Sequence, residues 1–234
     1  MNCTFLCGAQ AQFITTWKTN NYGISKDNQV TIPGRGSYNI AWQEVGNVQN
    51  KGTAQGKNAT TITFPKVGIY RISISGGLQQ LNFSYLRSDN AKLLTIEQWG
   101  NIAWTTMQGA FVDCKNLTYN ATDIPDLSRV KSMSQMFYGC SVFNGDISNW
   151  DVSQVINMEG LFKKATLFNQ PIGKWNTSNV VNMKEMFSGA QAFNQPIGEW
   201  NTSKVTDMSL MFSGARAFNQ PIEKWNTSQV IYMQ

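Results

Sequence analysis

The amino-acid sequence predicts an α+β repeat protein, in which a solenoid of short strands and helical turns follows a small all-β sandwich-like module. Two observations support this prediction. Several residue columns recur every 25 positions in the second half of the chain. Residues 13–77 lack that period and instead show short runs in which apolar and polar residues alternate. Period-two alternation is typical of half-buried strands, whereas a fixed long period indicates stacked repeats.

The first twelve residues, 1–12, contain the short apolar piece Phe5–Ala9, followed by Ala9-Gln10-Ala11. This small-residue pattern precedes many signal-peptidase cleavage sites, although a basic start and a long apolar core are missing. We expect a remnant of an export signal or an unstructured N-terminus. Cys3 and Cys7 lie here, and their spacing alone does not make a metal site.

Residues 13–77 are predicted to form the β-sandwich module. The clearest strand is Val67–Ser75, which alternates strictly and ends at Gly76-Gly77. Turn-rich stretches such as Pro33–Gly36 separate the runs. We expect the sandwich to bury Trp17 and Trp42. Residues 78–92 are expected to form a junction that shields the first repeat.

Residues 93–234 contain the repeat. Its unit reads F-N-x-x-I-x-x-W-[ND]-x-S-x-V-x-x-M-x-x-[ML]-F-x-x-A. We expect a short strand in the first part and a helical or 3₁₀ turn in V-x-x-M-x-x-M-F, because the latter spaces apolar residues by three and four. One unit is too small for a core of its own, so its apolar columns must be buried between units. The predicted repeat core comprises Phe143, Trp150, Val155, Met158, Phe162, Phe168, Trp175, Met183, Phe187, Phe193, Trp200, Met208 and Phe212.

The sixth unit stops at Met233-Gln234, shortly after it begins at Phe218. Stacked repeats need a polar cap where the stacking ends. We therefore expect this chain to be a fragment of a longer protein.

The repeat resembles that of the BspA-like leucine-rich-repeat surface proteins. The most specific matching residues are Phe193–Ser203 and Val205–Phe212, and the match extends from about Leu93 to Gln234. The resemblance implies a leucine-rich-repeat-like solenoid in a secreted or cell-surface bacterial protein that acts in adhesion. More loosely, Phe13–Trp17 and Gly68-Ile69-Tyr70 are similar to the β-modules of the polycystic-kidney-disease type. The family implies no catalytic residues.

The composition argues against an enzyme. The chain contains no histidine, which removes the commonest general base and metal ligand. Acidic pairs such as Asp146 and Asp151 do not recur from unit to unit, so we expect no catalytic, metal or cofactor site. No apolar stretch approaches the roughly 20 residues of a membrane span. The net charge is +5, but no basic cluster indicates binding of nucleic acid.

Several conspicuous residues have a structural and a functional interpretation. The tryptophan column could stack on sugars, but rings about 5 Å apart are too close for successive sugar units, which favours a structural ladder. The Phe-Asn column is interpreted as an asparagine ladder. Cys114 and Cys140 share one repeat position, where a disulfide is geometrically allowed, but alanine in later units favours buried free thiols. Three Asn-Thr-Ser sequences match the glycosylation acceptor and are explained by the repeat.

The repeat leaves other positions free to vary, and these form the candidate binding surface. They lie ahead of each tryptophan and after each serine, and comprise Lys174, Asn179, Glu199, Lys204, Lys224 and Gln229. We expect a non-enzymatic adhesion or protein-interaction module whose partner is an extracellular protein or a ligand on a host or neighbouring cell. The alternative is a structural spacer that presents a distal domain.

Overall fold

The computed structural model describes residues 12–84 and 88–233, and its regular structure is a single six-stranded sheet. The strands lie in the order β3-β2-β4-β1-β5-β6, and all neighbours are antiparallel except β5 and β6. A three-residue 3₁₀ helix, Asn90–Lys92, precedes β5. The strands are β1 (Phe13–Lys18), β2 (Gln29–Glu44), β3 (Asn47–Thr63), β4 (Ile69–Leu81), β5 (Leu93–Gln98) and β6 (Thr118–Tyr119).

Alternation of apolar and polar residues explains the long strands. Ile72 and Ile74 of β4 are buried, whereas Arg71 between two buried neighbours is exposed. Strands β2 and β3 form a hairpin that turns at Val45-Gly46, where Gly46 adopts a φ of 83° that favours glycine. One face of the sheet therefore packs on the core and the other faces solvent.

The prediction of a β-sandwich is wrong, because the strands form one sheet and not two packed sheets. Strand β1 lies between β4 and β5, and β6 extends the same sheet. The sheet thus includes strands from both predicted domains. The alternating pattern identifies strands, but it does not say which strands pair. Trp17 is buried as expected, whereas Trp42 is only partly buried.

The prediction of an α+β, leucine-rich-repeat-like solenoid with helical turns is also wrong, since residues 12–84 and 88–233 contain no α-helix. In V-x-x-M-x-x-M-F, the amides of Met133, Gln135 and Phe137 donate to carbonyls 24 residues further on. The amides of Met136 and Tyr138 close local turns instead. A helix would need all these amides within its own segment.

Left-handed residues interrupt each unit and exclude a helix. Each of the five units has two residues with φ between 54° and 73°, four positions apart. A residue within a right-handed α-helix has a negative φ, so a residue with one of these positive φ angles cannot lie inside such a helix. The three-and-four spacing of the apolar residues therefore comes from successive turns. The pairs are Gly109 and Asp113, Gln135 and Gly139, Gly160 and Lys164, Glu185 and Gly189, and Leu210 and Gly214.

Successive 25-residue units of the repeat region, residues 105–233, are bonded side by side. Single parallel bridges join Ser132, Asn157, Asn182, Asp207 and Tyr232 in sequence. Phenylalanine rings stack in a column across the same interfaces, with centroids 5.8 Å apart between Phe137 and Phe162 and 5.7 Å apart between Phe162 and Phe187. Backbone bonding and ring stacking thus have the same period as the sequence.

A buried ion pair ties the 3₁₀ helix to the loop between β1 and β2. The Nζ atom of Lys92 lies 3.6 Å from Oδ1 of Asp89, and both side chains are at most 1% exposed. Asp89 accepts bonds from the amides of Ile24, Ser25 and Thr31. Lys92 donates to the carbonyls of Ser25, Lys26 and Gln29. We call this group the Asp89–Lys92 clasp.

The expected signal remnant, together with Cys3 and Cys7, falls in a segment of which only Gln12 is among the described residues. Across the part of the chain that the structure describes, no helix has the length and apolar character needed to cross a membrane.

Candidate functional site

The tandem units place the predicted repeat core inside the molecule. Twelve of the thirteen residues are at most 5% exposed, and Phe212 is partly buried against the core. Trp150, Trp175 and Trp200 are between 3% and 4% exposed. Because their ring faces are covered, these tryptophans offer no surface on which a sugar could stack.

Polar columns of the repeat bond to neighbouring units. Oδ1 of Asn144 accepts the amide of Asn169, and Oδ1 of Asn169 accepts the amide of Asn194, both at 2.9 Å. The indole N–H groups of Trp175 and Trp200 donate to carbonyls of the preceding unit at 3.1 Å. The asparagine oxygens pair backbone amides of the next unit, and the indole groups add a bond to carbonyls that already accept a backbone amide, so both columns link neighbouring units.

The three Asn-Thr-Ser sequences form turns. In each, the asparagine Oδ1 accepts the amide of the serine two residues on, as at Asn201 and Ser203, where the distance is 3.0 Å. The hydroxyl of the intervening Thr202 donates to the carbonyl of Asn226 in the next unit. Asp146 and Asp151 accept serine amides in the same way, and hydrogen bonds from Ser148 and Ser153 lower the pKa of each carboxyl group.

The candidate binding surface separates into two rows. Asn179, Lys204 and Gln229 follow the serine column, and Lys204 Nζ donates to Oδ1 of Asn179 at 2.7 Å. Asn179 in turn donates to the carbonyl of Ser153 at 2.9 Å, which links neighbouring units. These residues lie outside the groove that the other row lines. The other row, Lys174, Glu199 and Lys224, lines an open groove.

This groove, which we call the proline groove, crosses three consecutive units and has a volume of about 500 Å³. Each unit contributes an exposed proline and, two and three residues later, the residues ahead of the tryptophan. The lining residues are Pro171, Gly173, Lys174, Pro196, Gly198, Glu199, Pro221, Glu223 and Lys224. Apolar surface predominates along the prolines, and charged side chains form the rim.

Two glycines allow neighbouring units to pack closely beside the groove. A methyl group built on Gly173 would lie 2.2 Å from the carbonyl oxygen of Pro196, and one on Gly198 would lie 2.6 Å from that of Pro221. Both distances are far below a normal carbon–oxygen contact. Backbone therefore approaches backbone at these positions, and neighbouring units pack closely without a side chain between them.

The charges on the rim are balanced in sign. Glu199 and Lys224 form an exposed ion pair between adjacent units. The hydrogen bond from this pair raises the pKa of the Lys224 ammonium group. Exposed pairs add little to stability because water screens them. With Lys174 and Glu223, the rim has two cations and two anions, so the groove as a whole presents no net charge.

The prolines of the groove are not among the candidate binding residues inferred from the sequence. Pro171, Pro196 and Pro221 fall inside F-N-x-x-I-x-x-W, where the sequence predicts a strand that must be short or bulged around proline. Their 25-residue spacing is the signal that could have identified them, because residues at one repeat position meet on one surface. Asp146 occupies the same position in the preceding unit.

Cys114 and Cys140 are free and buried. The Cys140 thiol donates to the carbonyl of Phe111 at 2.9 Å. Burial raises the pKa of both thiols well above the usual value, so the reactive thiolate is disfavoured. Among residues 12–84 and 88–233, no cluster of three or more acidic or cysteine side chains could hold a metal ion. The carboxylate of Asp123, for example, accepts the backbone amides of Trp99 and Gly100.

Comparison with known proteins bears on the repeat region. A family model described as "Mycoplasma protein of unknown function, DUF285" matches residues 105–201 and again residues 172–234. No curated protein and no solved structure matches the chain. The two matches overlap within the tandem units and together span more than half of the chain. The chain therefore belongs to the DUF285 family.

Proposed function

We propose that this chain is a non-enzymatic protein-binding module whose proline groove holds an extended segment of a partner protein. The observation that supports this proposal is the alignment of three exposed prolines and their charged neighbours along one groove. Other polar groups of the repeat, such as the side chains of Asn144, Thr177 and Thr202, are engaged in bonds between units. The prolines of the groove, by contrast, are left exposed by the packing of the units.

The chemistry of the groove favours a polypeptide over a sugar. An apolar centre with a polar rim is the usual arrangement of a protein interface. Proline rings bind apolar and aromatic side chains, and the mixed charges of Lys174, Glu199 and Glu223 suit a partner with both signs of charge. A sugar site would need an exposed aromatic face, and none lines the groove.

A display library of random peptides provides a probe that needs no known partner. We expect selection on the whole chain to enrich peptides whose affinity falls at least roughly tenfold in the variant Pro196→Asp, since this change places an unpaired carboxylate in an apolar contact. Aspartate occurs naturally at the equivalent position, Asp146, so the variant should fold. Ser213→Asp is the control, because Ser213 is exposed outside the groove.

Two results would contradict the proposal. Peptides that bind wild type and Pro196→Asp equally well would place the binding surface elsewhere. A library that yields no binder would favour the spacer role. Circular dichroism of each variant verifies that a loss of binding is not a loss of folding.

We also propose a secreted or cell-surface location, which the resemblance to surface proteins implies. Labelling of intact cells with an amine reagent that cannot cross membranes tests it. Exposed lysines such as Lys26 and Lys57 should react without cell lysis. Labelling that requires lysis would place the protein inside the cell.

A further inference from the structure

A second recess lies between the loop after β1, the 3₁₀ helix and the first two repeat units, and it shares no residue with the proline groove. Its volume of about 680 Å³ is in the range of sites that hold small molecules. We call it the tyrosine recess. Its lining includes Tyr22, Asn90, Val112, Asp113, Gln135 and Tyr138.

Backbone bonds between the first two units hold one wall of the tyrosine recess. The amide of Asp113 donates to the carbonyl of Tyr138 at 2.7 Å, and the amide of Tyr138 donates to the carbonyl of Gln135 at 3.2 Å. The side chain of Asn90, in the 3₁₀ helix, donates to the carbonyl of Val112 at 3.0 Å. Because bonds within the protein set these positions, the wall is organised before a ligand binds.

The loop after β1 forms the opposite wall, and the Asp89–Lys92 clasp positions it. Asp89 accepts the amide of Ile24 at 2.9 Å, and the side chain of Asn21 donates to a carbonyl of the 3₁₀ helix at 2.9 Å. Tyr22 lies between these two anchored residues, and its side chain is 87% exposed. Its ring therefore borders the recess with its faces open to solvent.

The tyrosine recess contains polar groups that the fold does not use. Within the described part of the chain, four of its side chains make no hydrogen bond or ion pair: Tyr22, Asp113, Gln135 and Tyr138. In the repeat, by contrast, the side chains of Asn144 and Thr202 bond to the next unit. Donors and acceptors that converge on one recess are typical of a ligand site.

Charge and ring contacts indicate the kind of ligand. Of the lining residues that the structure describes, only Asp113 is charged, and a carboxylate repels phosphate, sulfate and carboxylate groups. The ammonium groups of Lys163 and Lys164 lie 5.8 and 5.5 Å from the ring centroid of Tyr138, but neither lysine lines the recess. Tyr138 thus offers its hydroxyl group to a ligand, and Tyr22 offers its ring face.

We propose that the tyrosine recess binds a neutral oligosaccharide. The exposed ring of Tyr22 provides the flat apolar face against which a sugar ring packs. The Asp113 carboxylate accepts bonds from two sugar hydroxyls, while the Gln135 amide and the Tyr138 hydroxyl both donate and accept. These polar groups favour a sugar over a peptide, whose anchor side chains need apolar pockets. Sugar binding here is additional to peptide binding in the proline groove.

An array of neutral and anionic oligosaccharides, incubated with the whole chain, tests this inference. Titration calorimetry then compares variants with the neutral oligosaccharide that binds most tightly. We expect the affinity to fall at least roughly tenfold in Tyr22→Ala and roughly fivefold in Asp113→Asn, which loses the charged acceptor. Both variants should fold, because Tyr22 is exposed and asparagine accepts the φ of 55° found at Asp113. Added salt should change the affinity little, since the sugar is neutral.

Matched controls remove the same groups elsewhere. Tyr232→Ala removes a tyrosine that is 59% exposed in the last unit, and Asp151→Asn removes a carboxylate where the next unit has Asn176. Both controls should bind the oligosaccharide as the wild type does, and so should Pro196→Asp, because the two sites are separate.

Four results would overturn the inference. The first is that no neutral oligosaccharide on the array binds, and the second is that the controls lose as much affinity as Tyr22→Ala and Asp113→Asn. The third is that anionic oligosaccharides bind more tightly than neutral ones. The fourth is a selected peptide that loses affinity in Tyr22→Ala but not in Pro196→Asp, which would assign the recess to peptides. Failure of Pro196→Asp to weaken peptide binding would contradict the proposed groove alone.

Discussion

Cys114 and Cys140 occupy one position in adjacent repeat units, where later units have Ala165, Ala190 and Ala215. All five side chains are buried, at no more than 9% exposure. A thiol at this position acts as a small apolar group that packs between units. Both cysteine and alanine fit this position because it needs a small side chain. Cysteine differs from alanine in that its thiol can ionise.

We predict that the two buried thiols lower the free energy of unfolding at alkaline pH. Burial raises the pKa of each thiol in the folded state, whereas an unfolded cysteine ionises near pH 8.5. Above that pH the unfolded state loses protons that the folded state keeps, so the free energy of unfolding decreases by about 1 kcal/mol or more per thiol near pH 9.5.

Urea unfolding at about pH 7 and about pH 9.5 measures this effect. Cys114→Ala/Cys140→Ala is the comparison, because alanine is native to the same repeat position and every other titratable group is shared. The variant should lose less stability between the two pH values. Equal losses in both proteins would show that the thiols do not contribute.

At the scale of elements, the Asp89–Lys92 clasp joins the 3₁₀ helix before β5 to the loop after β1. It brings together residues more than 60 positions apart in the sequence. A methyl group built on Gly23 would lie 2.2 Å from Oδ1 of Asp89, so this part of the loop approaches the carboxylate closely. The clasp therefore determines how the β1–β2 loop lies against the start of β5.

We predict that Lys92→Met lowers the free energy of unfolding by about 3–5 kcal/mol. The change leaves the Asp89 carboxylate buried without its cation and removes the donor to three carbonyl groups. Lys131→Met is the control, since Lys131 is exposed, and it should cost less than about 0.5 kcal/mol. Urea unfolding followed by circular dichroism compares them. Similar small losses in both variants would mean that the clasp adds no stability.

For the whole molecule, a continuous hydrophobic core connects the sheet and the repeats. Phe13 of β1 lies 5.5 Å from Trp99 and 5.3 Å from Trp104, measured between ring centroids. Phe64, which follows β3, instead contacts Trp42 and Tyr70 at 5.3 and 4.0 Å. One phenylalanine thus joins the two regions, and the other packs within the sheet alone.

We predict that Phe13→Ala accelerates amide hydrogen exchange both in β1 and β5 and in residues 99–117, because the cavity affects both sides of the core. Phe64→Ala should accelerate exchange in β2 and β4 while residues 99–117 stay protected. Both phenylalanine side chains are 1% exposed, so the two variants remove equally buried rings. Unchanged exchange in residues 99–117 of Phe13→Ala would show that the two regions are not coupled.

The net charge is also distributed unevenly over the whole molecule, because residues 12–84 contain seven basic and two acidic residues whereas residues 85–234 contain twelve of each. The sequence contains this signal, but it appears only when the charge is summed separately over the sheet and the repeats. The sum does not show that Lys51 and Arg71 share a row, because register depends on the pairing of β3 and β4 with β2. The sequence likewise predicts only part of the proline groove. The 25-residue spacing aligns the prolines, but it does not show that they border a recess.

The sequence by itself determined the 25-residue period and the residues that fill the repeat core, because stacking equal units requires equal buried side chains at equal intervals. The tertiary structure alone decided that these units contain turns and no helix. The amides of Met133 and Gln135 bond to the following unit, and left-handed residues such as Lys164 close the turns. It also decided that β1 joins β4 to β5 in one sheet. Hydrogen-bond partners 24 or more residues away leave no trace in a local apolar pattern.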